Sequence, residues 1–195
     1  YVLFNTFGGG IQIISMMLFY PLFRKFISAM QVFYVSFVMA IGGYAVLLAL
    51  MFTNHTNIYI LMIPGFFIFT AFGMLTVLTT VFLANTVDYG ELKNNRRDES
   101  VIFSMQTFVV KLASGVAAMI ASICLTISNI SNDTSTEAAA MVSDSYTSVA
   151  VLRMTMTVLP IIGLLVAVFI FAKKYILTDE KLGEINQELE HRHKA

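Results

Sequence analysis

The chain has 195 residues, 57% of them hydrophobic and only 12% charged, with twelve Lys+Arg balancing twelve Asp+Glu and one cysteine, Cys124. A soluble domain carries roughly 25% charged residues, so the charge content is the outlier. The zero net charge excludes a basic nucleic-acid binder, the apolar content excludes a disordered tail, and the lone cysteine excludes a disulfide framework or zinc ribbon.

The apolar residues fall into five bilayer-length runs. Residues 1–20, 31–53 and 58–84 contain no charge; residues 101–128 contain one, Lys111, and residues 149–172 contain one, Arg153. About 20 apolar residues cross ~30 Å of hydrocarbon as a helix. Helices of soluble proteins rarely read apolar all round for that length. The fold class predicted is an all-α membrane protein, with residues 1–172 forming a five-span transmembrane bundle and residues 173–195 a tail.

The loops between spans alternate in charge. Arg24 and Lys25 follow span one, and Lys93, Arg96 and Arg97 lie between spans three and four. Lys173 and Lys174 follow span five, whereas residues 54–57 and 129–148 hold no Lys or Arg. Positive loops stay in the cytoplasm, which places loops one and three and the C-terminus inside and Tyr1 outside. Tyr1 is not an initiator methionine and no signal sequence precedes it, so the chain reads as a fragment of a longer, even-spanning carrier.

Several residues punctuate the spans. Pro21 reads as the end of the first helix, and Pro64-Gly65 as a kink inside the third. Gly8-Gly9-Gly10 and Gly42-Gly43 read as close helix packing, with a gating hinge as the alternative. Asn54-His55-Thr56 and Asn129-Ile130-Ser131 fit the glycosylation pattern, which is common by chance.

Lys111 is the most informative residue. It lies about 15 Å along its helix from Val101, near mid-bilayer, where a lysine costs about 2.5–3.5 kcal/mol on insertion scales. Ser100, Ser104, Thr107, Ser114, Ala118 and Ser122 recur around it every three or four residues, making one small, polar face. Such a face is wasted on lipid and suits a water-filled pathway; the structural alternative is a lysine paired only to fix helix packing. No Asp or Glu lies in any of the five runs, so a membrane-buried partner for Lys111 must come from elsewhere in the chain or from a ligand.

The stretch from Asn85 to Ser100 holds four acids and three bases in sixteen residues. A mixed-sign cluster of that kind can make ion pairs that exist in one conformation and break in another. The alternative is a solvated loop whose charges contribute little.

Asp88-Tyr89-Gly90-Glu91, then Arg97, Glu99-Ser100, Gln106-Thr107 and Val110-Lys111, resembles the signature of the glycoside–pentoside–hexuronide:cation symporters, a family of the major facilitator superfamily that includes the melibiose carrier. Tyr20-Pro21 with Arg24-Lys25, and the tail Leu177–Lys181 with Ile185 and Leu189-Glu190, are similar too. The resemblance covers essentially the whole chain, as spans eight to twelve of twelve. It implies the C-terminal half of a bacterial inner-membrane transporter that moves a sugar or glycoside with Na⁺, H⁺ or Li⁺ by alternating access. The remaining partners would be the missing N-terminal half and the lipid bilayer. It matches Lys111 to a lysine near the sugar and cation sites, with Gln106, Thr107 and Ser114 as substrate or coupling positions. Asp88, Tyr89, Glu91, Arg97 and Glu99 match a cytoplasmic gate. The sequence departs at Asn85, where the family pattern has Asp, and at Ser28-Ala29-Met30. The cation ligands are expected mostly in the N-terminal half, and no cofactor or resident metal is expected.

In the tail, Thr178 is a candidate N-cap with Asp179 and Glu180 in the first turn. Leu182, Ile185 and Leu189 share one face, which predicts a short amphipathic helix on the bundle or the membrane surface. His191 and His193 read as solvated rather than as a metal pair. A membrane enzyme would need a nucleophile, metal set or paired acids inside the spans, and a channel would need a ring of filter residues. The alternative within the superfamily is a facilitator for a lipid or other non-sugar solute.

Overall fold

The computed structural model describes residues 2–52, 58–127, 146–175, 177 and 179–194, and among these every regular element is helical. Helix α1 (Val2–Ile14) passes through a π-turn (Ser15–Phe19) into α2 (Tyr20–Phe26), and together they form the first membrane-length helix. There follow α3 (Ala29–Phe52), α4 (Ile58–Asn94), α5 (Glu99–Ile127), α6 (Tyr146–Lys174) and the tail helix α7 (Asp179–Lys194). Five of these stretches are long and apolar enough to cross a membrane, as their hydrocarbon-like composition requires once every backbone group is paired within its own helix. The chain is a multi-pass membrane protein.

Two boundaries differ from those read in the sequence. Pro21 does not end the first span: the Tyr20 N–H reaches back to the Ser15 carbonyl in the π-turn, and Pro21 stands in the opening turn of α2, where a missing N–H costs least. The third span continues to Asn94, so Asn85–Asn94 is helix rather than loop. A helix leaving the bilayer can continue in water because its hydrogen bonds are internal. It stops at Asn95, whose φ of 52° is the left-handed conformation that ends helices and that Asn tolerates.

The core is built on α3 and α4. They run antiparallel, with Phe33 beside Phe82 (5.7 Å between ring centroids) and Tyr44 beside Phe72 (6.4 Å). Helix α3 opens on a reciprocal cap: Ser28 N–H donates to Gln31 Oε1 at 3.0 Å and Gln31 N–H to Ser28 Oγ at 3.3 Å, satisfying two donors a helix start leaves open. Phe33, Phe82, Phe171 and Tyr175 stack where α3, α4 and the end of α6 meet, Phe33 and Phe171 being 4.1 Å apart. Val32, Met74 and Leu78 are fully buried beneath them.

Helix α1 runs parallel to α4, and small residues let the two backbones close. A side chain at Gly8 would collide with the Phe69 ring, and one at Gly73 would meet the Gln12 carbonyl and Ser15 Cβ at 2.7 Å. Ser15 Oγ, wholly buried, donates to the Thr70 carbonyl at 2.6 Å across this seam. Gly43 likewise packs on Ile68 and Pro64, through which α4 runs on. Gly9, Gly10 and Gly42 face open space, so the close-packing reading holds for Gly8 and Gly43 alone.

Arg24, Lys25, Lys93, Arg96, Arg97, Lys173 and Lys174 all gather at the bundle end where α4 overshoots. Arg153 stands at the other end, about 30 Å from Lys173 along α6, one hydrocarbon thickness away. It is a boundary residue rather than an intramembrane charge. Residues 54–57 and 129–145, with both glycosylation patterns, and Thr178 lie outside the described residues, as do the side chains of Asp179, Glu180 and His193.

Candidate functional site

Helix α5 is the odd member of the bundle. It meets α4 and α6 only sparsely, and every residue from Thr107 to Met119 is exposed. Lys111 sits in the middle of that bare stretch. At 100° per residue, Ser100, Ser104, Thr107, Lys111, Ser114, Ala118 and Ser122 fall within an arc of roughly 80°. The half-buried residues of α5, Ile102, Phe103, Gln106, Ile120, Ala121, Cys124 and Leu125, mark the flank that faces the rest of the bundle. That flank is centred roughly 120° from the lysine stripe. Lys111, Thr107 and Ser114 thus share a face turned away from their own neighbours.

Gln106 does not join them. It lies about 140° round the helix from Lys111 and is half-buried on the inner flank, because five residues is not a multiple of the helical repeat. The hydroxyls of Thr107 and Ser114 donate back to the Phe103 and Val110 carbonyls at 3.0 and 2.9 Å. This leaves their lone pairs directed outward. The lower end of the stripe, with Ser100, Ser104, Val101, Met105 and Phe108, borders an open groove of about 480 Å³.

Helix α4 carries a second polar stripe that sequence reasoning missed. Thr76, Thr79, Thr80 and Thr86 lie on one exposed face, each hydroxyl donating to the carbonyl four residues earlier at 2.8–3.3 Å. The signal was present as threonines three, four and six residues apart in an otherwise aliphatic run. It was masked because a hydroxyl bonded to its own helix hardly lowers hydropathy.

The charged cluster is a corner, not a long loop. Asn95–Asp98 joins α4 to α5, and Arg97 holds three carboxylates. Its Nη1 donates to Glu91 Oε2 at 2.7 Å and to Asp88 Oδ1 at 3.4 Å, and its Nε donates to Glu99 Oε2 at 3.2 Å. Asp88 and Glu91 come together because they are three residues apart near the end of α4, while Glu99 opens α5. Glu91 is the best shielded of the three, its side chain 15% exposed against 51% for Arg97. The hydrogen bonds it donates to Glu91, then to Glu99, hold the Arg97 guanidinium above its already high ordinary pKa. Arg96 pairs separately with Asp98 at 2.6 Å. Tyr89 points elsewhere: Lys93 Nζ lies 5.9 Å from its ring centroid, and the ring packs with Leu92 on Leu177, Ile185 and Leu189 of the tail. The amphipathic face of α7 therefore docks on the bundle. Among the described residues no group of His, Cys, Asp or Glu could hold a metal ion.

Five membrane-length helices, a mid-span lysine on a polar face and an ion-paired corner thus stand together in one chain. The family described as MFS/sugar transport protein matches residues 1–179, and the chain belongs to that family. It is similar to the lactose permease of Lactobacillus delbrueckii subsp. bulgaricus, with 32% identity over 95% of this chain and 28% of that one. It is also similar to the raffinose carrier protein of Pediococcus pentosaceus, 27% identical over 88% of this chain and 25% of that one. The lactose permease of Leuconostoc lactis is 24% identical over the same shares. The chain thus spans about a quarter of the length of the curated relatives it matches. These sugar carriers agree with the family resemblance carried by Asp88 through Lys111.

Proposed function

We propose that this chain is the C-terminal bundle of a sugar:cation symporter working by alternating access, with Lys111 on the substrate path. The observation that carries it is the bare, polar face of α5. A lysine at mid-bilayer is costly against lipid, and no described residue covers it. Its face therefore meets a water-filled cavity shared with the rest of the carrier. The threonine face of α4 supplies a second wall of hydroxyls suited to a sugar. The coupling cation, Na⁺, H⁺ or Li⁺, takes its acidic ligands from chain outside these spans, which contain no Asp or Glu. The basic end of the bundle, with α7, faces the cytoplasm of a bacterial plasma membrane, as the positive-inside rule supports. The Arg97 corner ties α4 to α5 so that Lys111 moves with both helices when the cytoplasmic side opens.

The test is uptake of labelled lactose and raffinose into vesicles holding the full-length carrier, with an imposed ion gradient. Lys111→Gln is expected to abolish gradient-driven uptake while the protein still inserts and melts like the parent. Full ion-driven uptake by Lys111→Gln would overturn the placement of Lys111. Competition by non-sugar solutes, and none by sugars, would overturn the substrate class.

A further inference from the structure

The first membrane helix carries two apolar faces where one would serve. The face of α1 packed on α4 is Gly8, Ile11 and Ser15. Continued at about 100° per residue, it would bring Leu18, Leu22 and Phe26 to the core. In the structure these three are 64%, 54% and 76% exposed. Phe19, Phe23 and Ile27, each one residue further on, pack against the core instead. The π-turn is the reason: it holds one residue more than an α-turn, so everything beyond it lags by about 100°. Both sets repeat every four residues, and either would seat α2.

The turn is thinly bonded. The Tyr20 N–H goes to the Ser15 carbonyl and Pro21 has no N–H, so the Met16 carbonyl receives neither of the amides within its reach. Across the seam, Thr70 accepts the Ser15 hydroxyl on its carbonyl, while its own buried hydroxyl has no partner among the described residues. Thr76, Thr79, Thr80 and Thr86 return theirs to their own helix. Helix α1 is pinned to α4 at Gly8, Gly73 and Ser15, whereas α2 buries no residue fully. Ile27, between α2 and α3, is extended, with φ −136° and ψ 158°. An extended residue spans about 3.3 Å against about 1.5 Å in a helix, which leaves length for a shift of one residue.

We propose that α2 has a second register, reached when the π-turn rewinds to α-helix and its surplus residue passes to Ile27. Helix α2 then turns about 100° and slides about 1.5 Å along its axis. Leu18, Leu22 and Phe26 take the places of Phe19, Phe23 and Ile27 on the core. Pro21 sets the balance between the two. In a continuous helix its ring would press on the Met17 carbonyl four residues back. After the π-turn it stands in an opening turn, where a proline is tolerated, so it holds the register seen here. The switch gives the basic half of the first span a motion that the other half, pinned to α4, does not share. The inference concerns the helix and not its cargo, so its failure would leave the role of Lys111 untouched.

The experiment is electron paramagnetic resonance of the full-length carrier in liposomes, freed of its own cysteines and spin-labelled at Leu22→Cys or Phe26→Cys. Both positions face outward in the observed register and inward in the second. A mobile, oxygen-accessible component is expected to dominate, beside a small immobile one. Pro21→Ala removes the bias and is expected to raise the ratio of immobile to mobile label about ten-fold or more. Deleting Met17 from Pro21→Ala takes away the surplus residue and leaves Phe19, Phe23 and Ile27 on the core of an unbroken helix. That variant is expected to melt near the parent and to lose the immobile component. Should the deletion unfold the protein, which a thermal melt reads, the Pro21→Ala ratio decides alone. Label equally mobile in the parent and in Pro21→Ala at both sites, or an immobile component that survives the deletion, would overturn the proposal.

Discussion

Replacing Gly73 with alanine tests whether the α1–α4 seam holds the first membrane helix in place. The new methyl would stand 2.7 Å from the Gln12 carbonyl and from Ser15 Cβ, and 2.9 Å from Ser15 Oγ. That is about 0.7 Å inside ordinary contact with a backbone atom that cannot rotate away. Parting the helices by that distance forfeits a quarter to a half of the dispersion energy along the seam, and overpacking of this kind costs about 1–3 kcal/mol. It also lengthens the Ser15–Thr70 hydrogen bond, worth about 0.6 kcal/mol between membrane helices. Helix propensity returns at most about 1 kcal/mol on exchanging Gly for Ala. The net loss of about 1–3 kcal/mol lowers a thermal melt by roughly 2–12 °C in a chain of this size. The assay compares melts of purified Gly73→Ala, Gly42→Ala and Ser15→Ala in one detergent. Gly42 has nothing within 4 Å of an added Cβ, so Gly42→Ala should melt at or slightly above the parent. Ser15→Ala should lose only the hydrogen bond. If Gly73→Ala melts with Gly42→Ala, the seam is not close-packed and the reasoning fails.

Two further predictions concern the charged corner and the tail. Because its hydrogen bonds raise the Arg97 pKa, the stabilisation they bring is fully present below the ordinary arginine pKa and is lost only as pH rises through the still higher folded value. Deprotonation of Arg97 is therefore expected to release nothing between pH 7 and 9, whereas molar salt, which shortens screening to ~3 Å, loosens the corner. Proteolysis within Asn95–Asp98 reads both arms, and protection lost with pH but not with salt would refute the ion-pair account. Ile185→Asn places an amide among Leu177, Leu189, Tyr89 and Leu92. It should free α7 to protease while the melt of the membrane bundle moves little, and a tail that stays protected would show that this contact does not hold it.

How much was legible in the sequence varies with the physics of each element. The five membrane helices were, since crossing hydrocarbon needs length and apolarity and both are local. The lysine stripe was legible as a face, because Thr107, Lys111 and Ser114 obey the helical repeat whatever surrounds them. Its outward direction was not, since that depends on which flank α4 and α6 occupy. The end of α4 was misread because hydropathy reports where a helix leaves the bilayer, not where it ends. Pro21 was misread for a related reason: the π-turn that accommodates it has no composition of its own. The grouping of Asp88, Glu91 and Glu99 around Arg97 needed the left-handed turn at Asn95, which a lone asparagine among other polar residues does not announce.

The length of α4 has a mechanical meaning. From the buried Pro64 to Asn94 it reaches about 45 Å, far more than the bilayer requires, and its far end is clamped to α5 by Arg97 and to the tail by Tyr89 and Leu92. A swing of roughly 10° about Pro64 would carry that end about 8 Å sideways. The helix is in effect a lever whose long arm ends in water. A small tilt deep in the membrane becomes a large displacement at the surface, and a modest push on the exposed corner, from the tail or from a bound protein, would be felt at the level of Lys111.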